Sequence, residues 1–391
     1  MRGIGTRCTV ARQRGEAFRI YTSTQPRRSG VTKDAQRPSA AMEGKGAYNR
    51  HSLIPSVGGA LAWPHLQRAI AETPLGPSGS PIVVADYGSS QGLNSLAPIR
   101  LAVEAIRARA GVDRPIFVYH NDQPSNDFNS LFEVLDTSPD CYCRGDKNVF
   151  PCAIGRSFYE SVLPADSVHV GWSSYAAMWI SRIPAPIPGH FIFAGTTGAV
   201  RAAWERQGVQ DWETFLSLRG RELKPGGCLV ISTPGADDSG GSVFDRIMDH
   251  ANAELKAMIE EGAITADEWA RMALNVWPRR RAELTAPFAD DGRFESLVLK
   301  ESETCVLRDP AWDAYEADGD KDALATKRAM FFRSVFSPTL ASYLDKVSAG
   351  DPSAAAAFSD RLTRGLKRRF AAEPAPLHSL VQIVVVAKAQ A

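Results

Sequence analysis

The chain alternates short, β-branched apolar runs with stretches of helical periodicity, and few folds accept that pattern. PIVVADYG (81–88) is apolar up to an aspartate and a glycine, as a buried strand would be. After it, LNSLAPIRLAVEAIRARA sets Leu96, Ile99, Val103 and Ile106 on one helical face. PIFVYHND (115–122) and DSVHVGW (166–172) repeat the strand pattern, and DFNSLFEVLD and SYAAMWISRI follow them as helices. KPGGCLVISTPG (224–235) is a Pro-Gly turn entering another strand, and LHSLVQIVVVAKA at the C-terminus reads as the last strand. Strands alternating with helices imply a mostly parallel sheet covered on both faces. Residues 242–349 read differently: mainly helical, broken by NVWPRRRAELTAPF, with one strand-like run, FESLVLKESE. The expected organisation is a tail over 1–41, an α/β core over 42–241 and 350–391, and a helical cap over 242–349.

Charge separates the tail from the rest. Residues 1–41 hold nine Arg or Lys against Glu16 and Asp34, while the whole chain nets only +1. Everything from Met42 onward is therefore net negative, and its overall field does not draw nucleic-acid phosphates. The tail has the composition of a transit peptide, of a disordered extension, or of residues preceding a true start at Met42. No run approaches the roughly 18 apolar residues of a membrane span, so the expected location is the cytoplasm with no membrane partner. Cys141, Cys143 and Cys152 cluster in CYCRGDKNVFPC near in sequence to His120 and His169. The second CxxC-type pair of a zinc site is missing, so no metal is assigned and the thiols read as those of a loop in a reducing cytosol.

The segment ADYGSSQGLNS carries the main chemical signal. Strand, glycine turn and helix in succession place backbone N–H groups and a helix N-terminus beside a ligand. A dinucleotide enzyme shows GxGxxG at this turn, its middle glycine making room for a pyrophosphate. Here the pattern is DxGxxxG, from Asp86 through Gly88 to Gly92. An acidic residue repels a pyrophosphate and suits a ligand bearing an ammonium and a sulfonium. The second strand ends in Asn121-Asp122, where a carboxylate can accept hydrogen bonds from ribose hydroxyls. Together these favour S-adenosylmethionine over a nicotinamide dinucleotide.

With these residues in view, the sequence resembles the SABATH methyltransferases, the salicylic acid carboxyl methyltransferase family. Matching blocks are MEGKGAYNRHSL (42–53), ADYGSSQGLNS, HNDQPSNDFNSLF (120–132) and PCAIGRSFYESVLPADSVHVGWSSYAAMWISRIP (151–184), with a weaker one at KRAMFFRSVFSPTL. The resemblance implies a Rossmann-like class I methyltransferase sheet, mostly parallel with the last strand antiparallel, under an α-helical cap, and commonly a homodimer. It implies that Tyr48 and Ser52 lie near the cofactor and that Asp86, Gly88 and Asn94 hold its methionine end. Asp122 would take the ribose, and Ser157 and Phe158 the adenosine, Phe158 by stacking. Tyr175 and Trp179 fall on substrate positions, with the Trp179 indole donating to a carboxylate.

The sequence also departs from that family. The family's second carboxylate donor is a Gln three residues after the serine matching Ser52, and here Pro55 stands there with no donor. The family's Asn before that serine is His51, which is able to deprotonate a hydroxyl or stand in for the Gln. An aromatic is replaced within Arg279-Arg280-Arg281, a run that reads as a solvated face or a guide for an anion. Trp63, Trp172 and Trp277 are further pocket candidates, with core packing as their default role. A small-molecule carboxylic acid is ionised at neutral pH, so methyl transfer to it needs no general base, and none is assigned. The competing readings are a nicotinamide-dependent oxidoreductase, which DxGxxxG counts against, and a cofactor-binding homologue without acceptor chemistry, which Pro55 keeps open.

Overall fold

The computed structural model describes residues 42–242, 244–377 and 379–390. The 1–41 tail lies outside the described residues. Among the described residues three short helices come first: α1 (Ala47–His51), α2 (Leu53–Ala60) and α3 (Trp63–Glu72). The alternating region follows as β1 (Ile82–Tyr87), α4 (Leu93–Ala110), β2 (Ile116–Asp122), α5 (Phe128–Thr137), β3 (Val149–Gly155), β4 (Val168–Ser174), α6 (Gly198–Glu222) and β5 (Leu223–Gly235). Then come α7 (Phe244–Glu260), α8 (Ala266–Arg271), α9 (Arg281–Thr285), β6 (Arg293–Phe294) and β7 (Leu297–Leu307). The chain ends through α10 (Pro310–Asp318), α11 (Lys321–Val335), α12 (Ser337–Ala341), α13 (Asp345–Ser348), α14 (Pro352–Ala372) and β8 (Ser379–Lys388).

The eight strands among the described residues form one sheet in the order β3-β2-β1-β4-β5-β8-β7-β6. Neighbours from β3 to β5 pair in parallel, and β8 runs antiparallel between β5 and β7. From β1 the chain winds outward to β2 and β3 on one side and to β4 and β5 on the other. The strand order therefore reverses between β1 and β4, and a crevice opens at the carboxyl ends of β1, β2 and β4.

Alternation along the strands gives the sheet an apolar layer on each face. Ile82, Val84, Val118 and Val230 pack with Leu66, Ile70, Ile99 and Val103 of α3 and α4. Ala85, Tyr87, Ile231 and Val384 pack with Trp212, Phe215 and Leu216 of α6. A third cluster joins α7, α11 and α14 through Met248, Leu255, Phe332, Val335, Leu362 and Leu366, and it takes in Tyr48 and Trp179. No described helix is long and apolar enough to cross a membrane.

Three sequence expectations need correction. The 242–349 cap does not run as one piece: β6 and β7 return to the sheet, and α14 from beyond residue 349 packs among the cap helices. The thiol-rich stretch read as loop contains β3, an edge strand whose Phe150 is exposed and whose Pro151 has no N–H for a further partner. SYAAMWISRI is not a helix. Tyr175 sits at φ 57° and turns the chain, Trp179 bridges to Val276, and Asn275 O receives Ile180 N at 2.7 Å.

Candidate functional site

At the switch point lies a cavity of about 320 Å³, lined by Tyr48, Gly88, Asp122, Phe158, Tyr175 and Trp179 among others. A small void of about 20 Å³ shares Tyr48, Gly88, Ser90 and Ser174 with it and reaches Asp86, Asn94 and Pro55. Of the residues nominated from sequence, six therefore meet on the larger wall, and Asp86 and Asn94 on the smaller one.

The turn after β1 is tight. Gly88 has φ 92°, and a Cβ there would fall 2.1 Å from the Ala176 Cβ, so only glycine fits. Its N–H groups are spent within the protein: Gly88 N and Ser89 N donate to Asn121 O at 2.8 and 3.0 Å. Ser90 N donates to Asp122 Oδ2 at 2.7 Å. The expected free donors are thus absent at these three positions, and the turn presents carboxylates where a pyrophosphate site presents N–H groups. That discriminates against a dinucleotide.

Asp122 also accepts from Gln123 N at 2.7 Å. Desolvation in the cavity wall pushes its carboxyl up to about 6, the two N–H groups oppose this, and the Asp86 charge adds to it. Asp86 is buried, with Oδ2 2.9 Å from His120 Nδ1, and His120 Nε2 lies 2.8 Å from the Tyr142 hydroxyl. His120, considered as a metal ligand, is thus engaged at both ring nitrogens. Cys141 and Cys143 have their sulfurs 3.0 Å apart. No group of three or more His, Cys, Asp or Glu among the described residues is placed to hold a metal ion.

The other assignments divide. Asn94 Nδ2 donates to Ser52 Oγ at 2.9 Å, so Ser52 orients Asn94 rather than lining the cavity. Tyr48 bonds the same Asn94, and burial raises its phenol so that it stays protonated. Phe158 is fixed from behind: Arg219, fully buried beside Glu222, donates to Phe158 O at 2.8 Å, and Phe215 packs edge-on at 5.7 Å. Ser157 is off the cavity wall, its Oγ accepting from Tyr159 N at 3.2 Å.

His51 faces elsewhere. It lines a separate cavity of about 280 Å³ with Arg50, Leu53 and Phe331, none of them on the 320 Å³ wall, and burial lowers its pKa. This removes it as a base or a replacement donor at the main site. The arginine run is a solvated face only in part: Arg281 is exposed and Arg280 half-buried. Arg279 is buried and donates to Ala177 O and to Gly208 O at 2.9 Å, bracing the Tyr175–Trp179 turn. Arg280 pairs with Glu283 at 3.0 Å, and Arg281 donates to Ser302 O at 2.8 Å. Trp172 reaches only the small void, Trp277 donates to Glu283 at 3.1 Å within the core, and Trp63 packs against the α3–α4 layer.

Residues not nominated from sequence form the lip of the cavity. Gln91 Nε2 donates to Glu43 O at 2.7 Å, Asn126 Nδ2 to Ser90 O at 2.8 Å, and Lys45 N to Asp127 Oδ2 at 2.7 Å. All lie in the matched blocks, which was the only signal available. Asp127 also caps α5 through Ser130 N at 3.1 Å. Asp127→Ala is expected to cost about 1–2 kcal/mol. A thermal melt should drop by a few degrees, and titration calorimetry should show S-adenosylhomocysteine binding weakened severalfold as the lip loosens. An unchanged melt would show the cap to be idle.

A crevice at a strand-order reversal, walled by acids and aromatics, is the arrangement that suits a class I S-adenosylmethionine-dependent methyltransferase. The family profile for SAM dependent carboxyl methyltransferases matches residues 37–369, and the chain belongs to that family, the SABATH enzymes. A probable S-adenosylmethionine-dependent methyltransferase of Arabidopsis thaliana is 27% identical over 56% of this chain and 64% of that protein. A benzoic acid/salicylic acid carboxyl methyltransferase of Petunia hybrida is 27% identical over 78% of this chain and 86% of that one. A solved loganic acid methyltransferase with S-adenosylhomocysteine superposes with a TM-score of 0.72 at 20% identity, covering 89% and 99% of the two chains.

Proposed function

We propose that this chain transfers a methyl group from S-adenosylmethionine to a carboxylate oxygen of a small-molecule acid, giving its methyl ester, and that the 320 Å³ cavity is where it does so. The observation carrying this is the convergence on one wall of two sets of groups, Asp122 and Phe158 with Tyr175 and Trp179. The first set fits a ribose and an adenine: a carboxylate for hydroxyls and an aromatic face for stacking. Asp86 and Asn94, at the adjoining void, fit an ammonium and carboxylate end. When bound, the cofactor supplies a methyl group on a positively charged sulfur.

The chain's own part is placement. A carboxylic acid with a pKa of about 4 arrives ionised, so no side chain need remove a proton. Trp179 and the turn braced by Arg279 hold the anion in line, and the cap cluster of Phe191, Phe332 and Phe336 keeps water away. Charge is neutralised as the two partners react, so a dry, apolar setting favours the reaction over bulk water. The family's commonly dimeric assembly, residence in the cytoplasm and the absence of nucleic-acid partners are part of the same proposal. Light scattering tests the first by reading one or two copies.

Incubation with labelled S-adenosylmethionine and a panel of aromatic, terpenoid and fatty acids, read by mass spectrometry, should yield the methyl ester of at least one acid. Each ester formed should be matched by one S-adenosylhomocysteine. Cofactor binding without any ester would overturn the proposal in favour of an inactive homologue.

A further inference from the structure

The β1–β2 register sets Asp86 and His120 side by side, two residues beyond the paired Val84 and Val118 and on the same face of the sheet. That face carries the apolar layer under α3 and α4. Tyr142, from the segment between α5 and β3, belongs to the same layer. Asp86, His120 and Tyr142 are all buried, the imidazole completely. Polar groups set this deeply among aliphatic side chains are costly unless they partner one another, and these three do.

They do so with a direction. Burial holds the Tyr142 phenol well above its ordinary pKa, so its oxygen keeps the proton and donates to His120 Nε2 at 2.8 Å. A ring nitrogen that accepts is unprotonated, which leaves the imidazole proton on Nδ1, 2.9 Å from Asp86 Oδ2. In the other tautomer a lone pair would face the carboxylate. Asp122 is oriented by two backbone N–H groups, whereas Asp86 is oriented by a side chain that is itself ordered by a second one. Asp86 also walls the small void with Asn94 and Ser90. A carboxylate takes an ammonium best with a lone pair aimed at it, and an untethered one rotates about its Cβ–Cγ bond at little cost.

We propose that His120 and Tyr142 are positioning residues for the methyl donor: the phenol fixes the imidazole tautomer, and the imidazole N–H holds the Asp86 carboxylate turned toward the donor's ammonium. Neither residue lines the cavity or the void, so both act through Asp86. The inference rests on the placement of Asp86 at the methionine end made under the proposed function, and it adds two residues to that placement.

The test needs only binding, on the full chain, with two probes. S-adenosylhomocysteine carries the amino-acid end, and methylthioadenosine carries the same nucleoside without it. By calorimetry, His120→Leu should weaken the first about tenfold and leave the second within about twofold. His120→Asn, which returns an N–H close to the place of Nδ1–H, should restore S-adenosylhomocysteine affinity to within about threefold of wild type. Tyr142→Phe, which deletes one hydroxyl and keeps the ring, should shift the ratio of the two affinities about threefold. Nitrogen NMR should find the wild-type His120 proton on Nδ1 and a mixture of tautomers in that variant. Tyr142→Phe carries the test by itself should His120→Leu fail to fold. Equal losses for the two probes would give the pair a packing role and overturn the inference, as would an unchanged ratio. If Asp86→Asn left S-adenosylhomocysteine binding intact, the placement of Asp86 would fall first, and this inference with it.

Discussion

Asp122→Ala is expected to weaken S-adenosylhomocysteine binding by about 100-fold, from a micromolar starting point. The carboxylate stands at the end of β2, held by Ser90 N and Gln123 N, each at 2.7 Å. Those two bonds fix its plane, so its remaining lone pairs face the cavity without rotamer freedom to lose. Hydrogen bonds from hydroxyls to an ionised acceptor are worth roughly 1.5–3 kcal/mol each, and losing two of them comfortably exceeds tenfold. The pH dependence is a second handle. With its carboxyl at about 6 in the free protein, Asp122 is mostly protonated at pH 5, and affinity there should be about tenfold weaker than at pH 7. Asp122→Asn should flatten this profile.

The stability linkage has the opposite sign. A folded value raised above the ordinary 3.8 means the folded state holds the proton more tightly. This residue's favourable contribution to the unliganded fold is fully present below about pH 4 and is lost as pH rises through about 6. Between those limits the cofactor should bind better while the empty protein becomes slightly less stable. Calorimetry from pH 5 to 8 on both proteins decides. Flat, superimposable affinities would remove Asp122 from the site.

The part of this site that sequence made legible is the part built from consecutive residues. ADYGSSQGLNS and HND each carry their chemistry locally, because a strand end, a tight glycine and an acid are neighbours in the chain. The lip was not legible, because Lys45 meets Asp127 across 82 residues and no local pattern marks either one. The Tyr175–Trp179 turn was misread for a different reason. Its apolar spacing suits a helix, but a left-handed Tyr175 and the buried Arg279 impose a turn, and tertiary contacts override local periodicity. Arg279 itself looked like one of three solvated cations, and only the fold shows that its neighbours turn outward while it packs 5.6 Å from the Trp212 ring. In the sheet, β1, β2 and β5 showed themselves by their apolar runs. Edge strand β3 did not, being half exposed and interrupted by Pro151.

Trp179→Phe should lower kcat/KM for the acid roughly 100-fold while leaving S-adenosylhomocysteine affinity within about threefold. Trp179 sits where the 320 Å³ cavity meets the cap, with its ring 6.0 Å from Phe336 and its backbone held by Ala176 O at 3.0 Å and by the Tyr159 hydroxyl. Phenylalanine keeps most of that packing and removes the indole N–H, so the substitution isolates the donor from the bulk. A donor to a buried anion is worth more than one to a neutral group, and its loss also leaves the carboxylate desolvated and misaligned for an in-line attack. Trp179→Ala separates the two roles from the other side. It should lose transfer at least as severely and also lower the melting temperature, because the cap cluster would be left with a void costing about 3–5 kcal/mol. If Trp179 served packing alone, the Phe variant would retain nearly full transfer, or cofactor affinity and transfer would fall in step. Because Asp122 and Trp179 stand on the same wall, the contrast between their variants is the sharper test: one should move cofactor affinity with transfer, the other transfer alone.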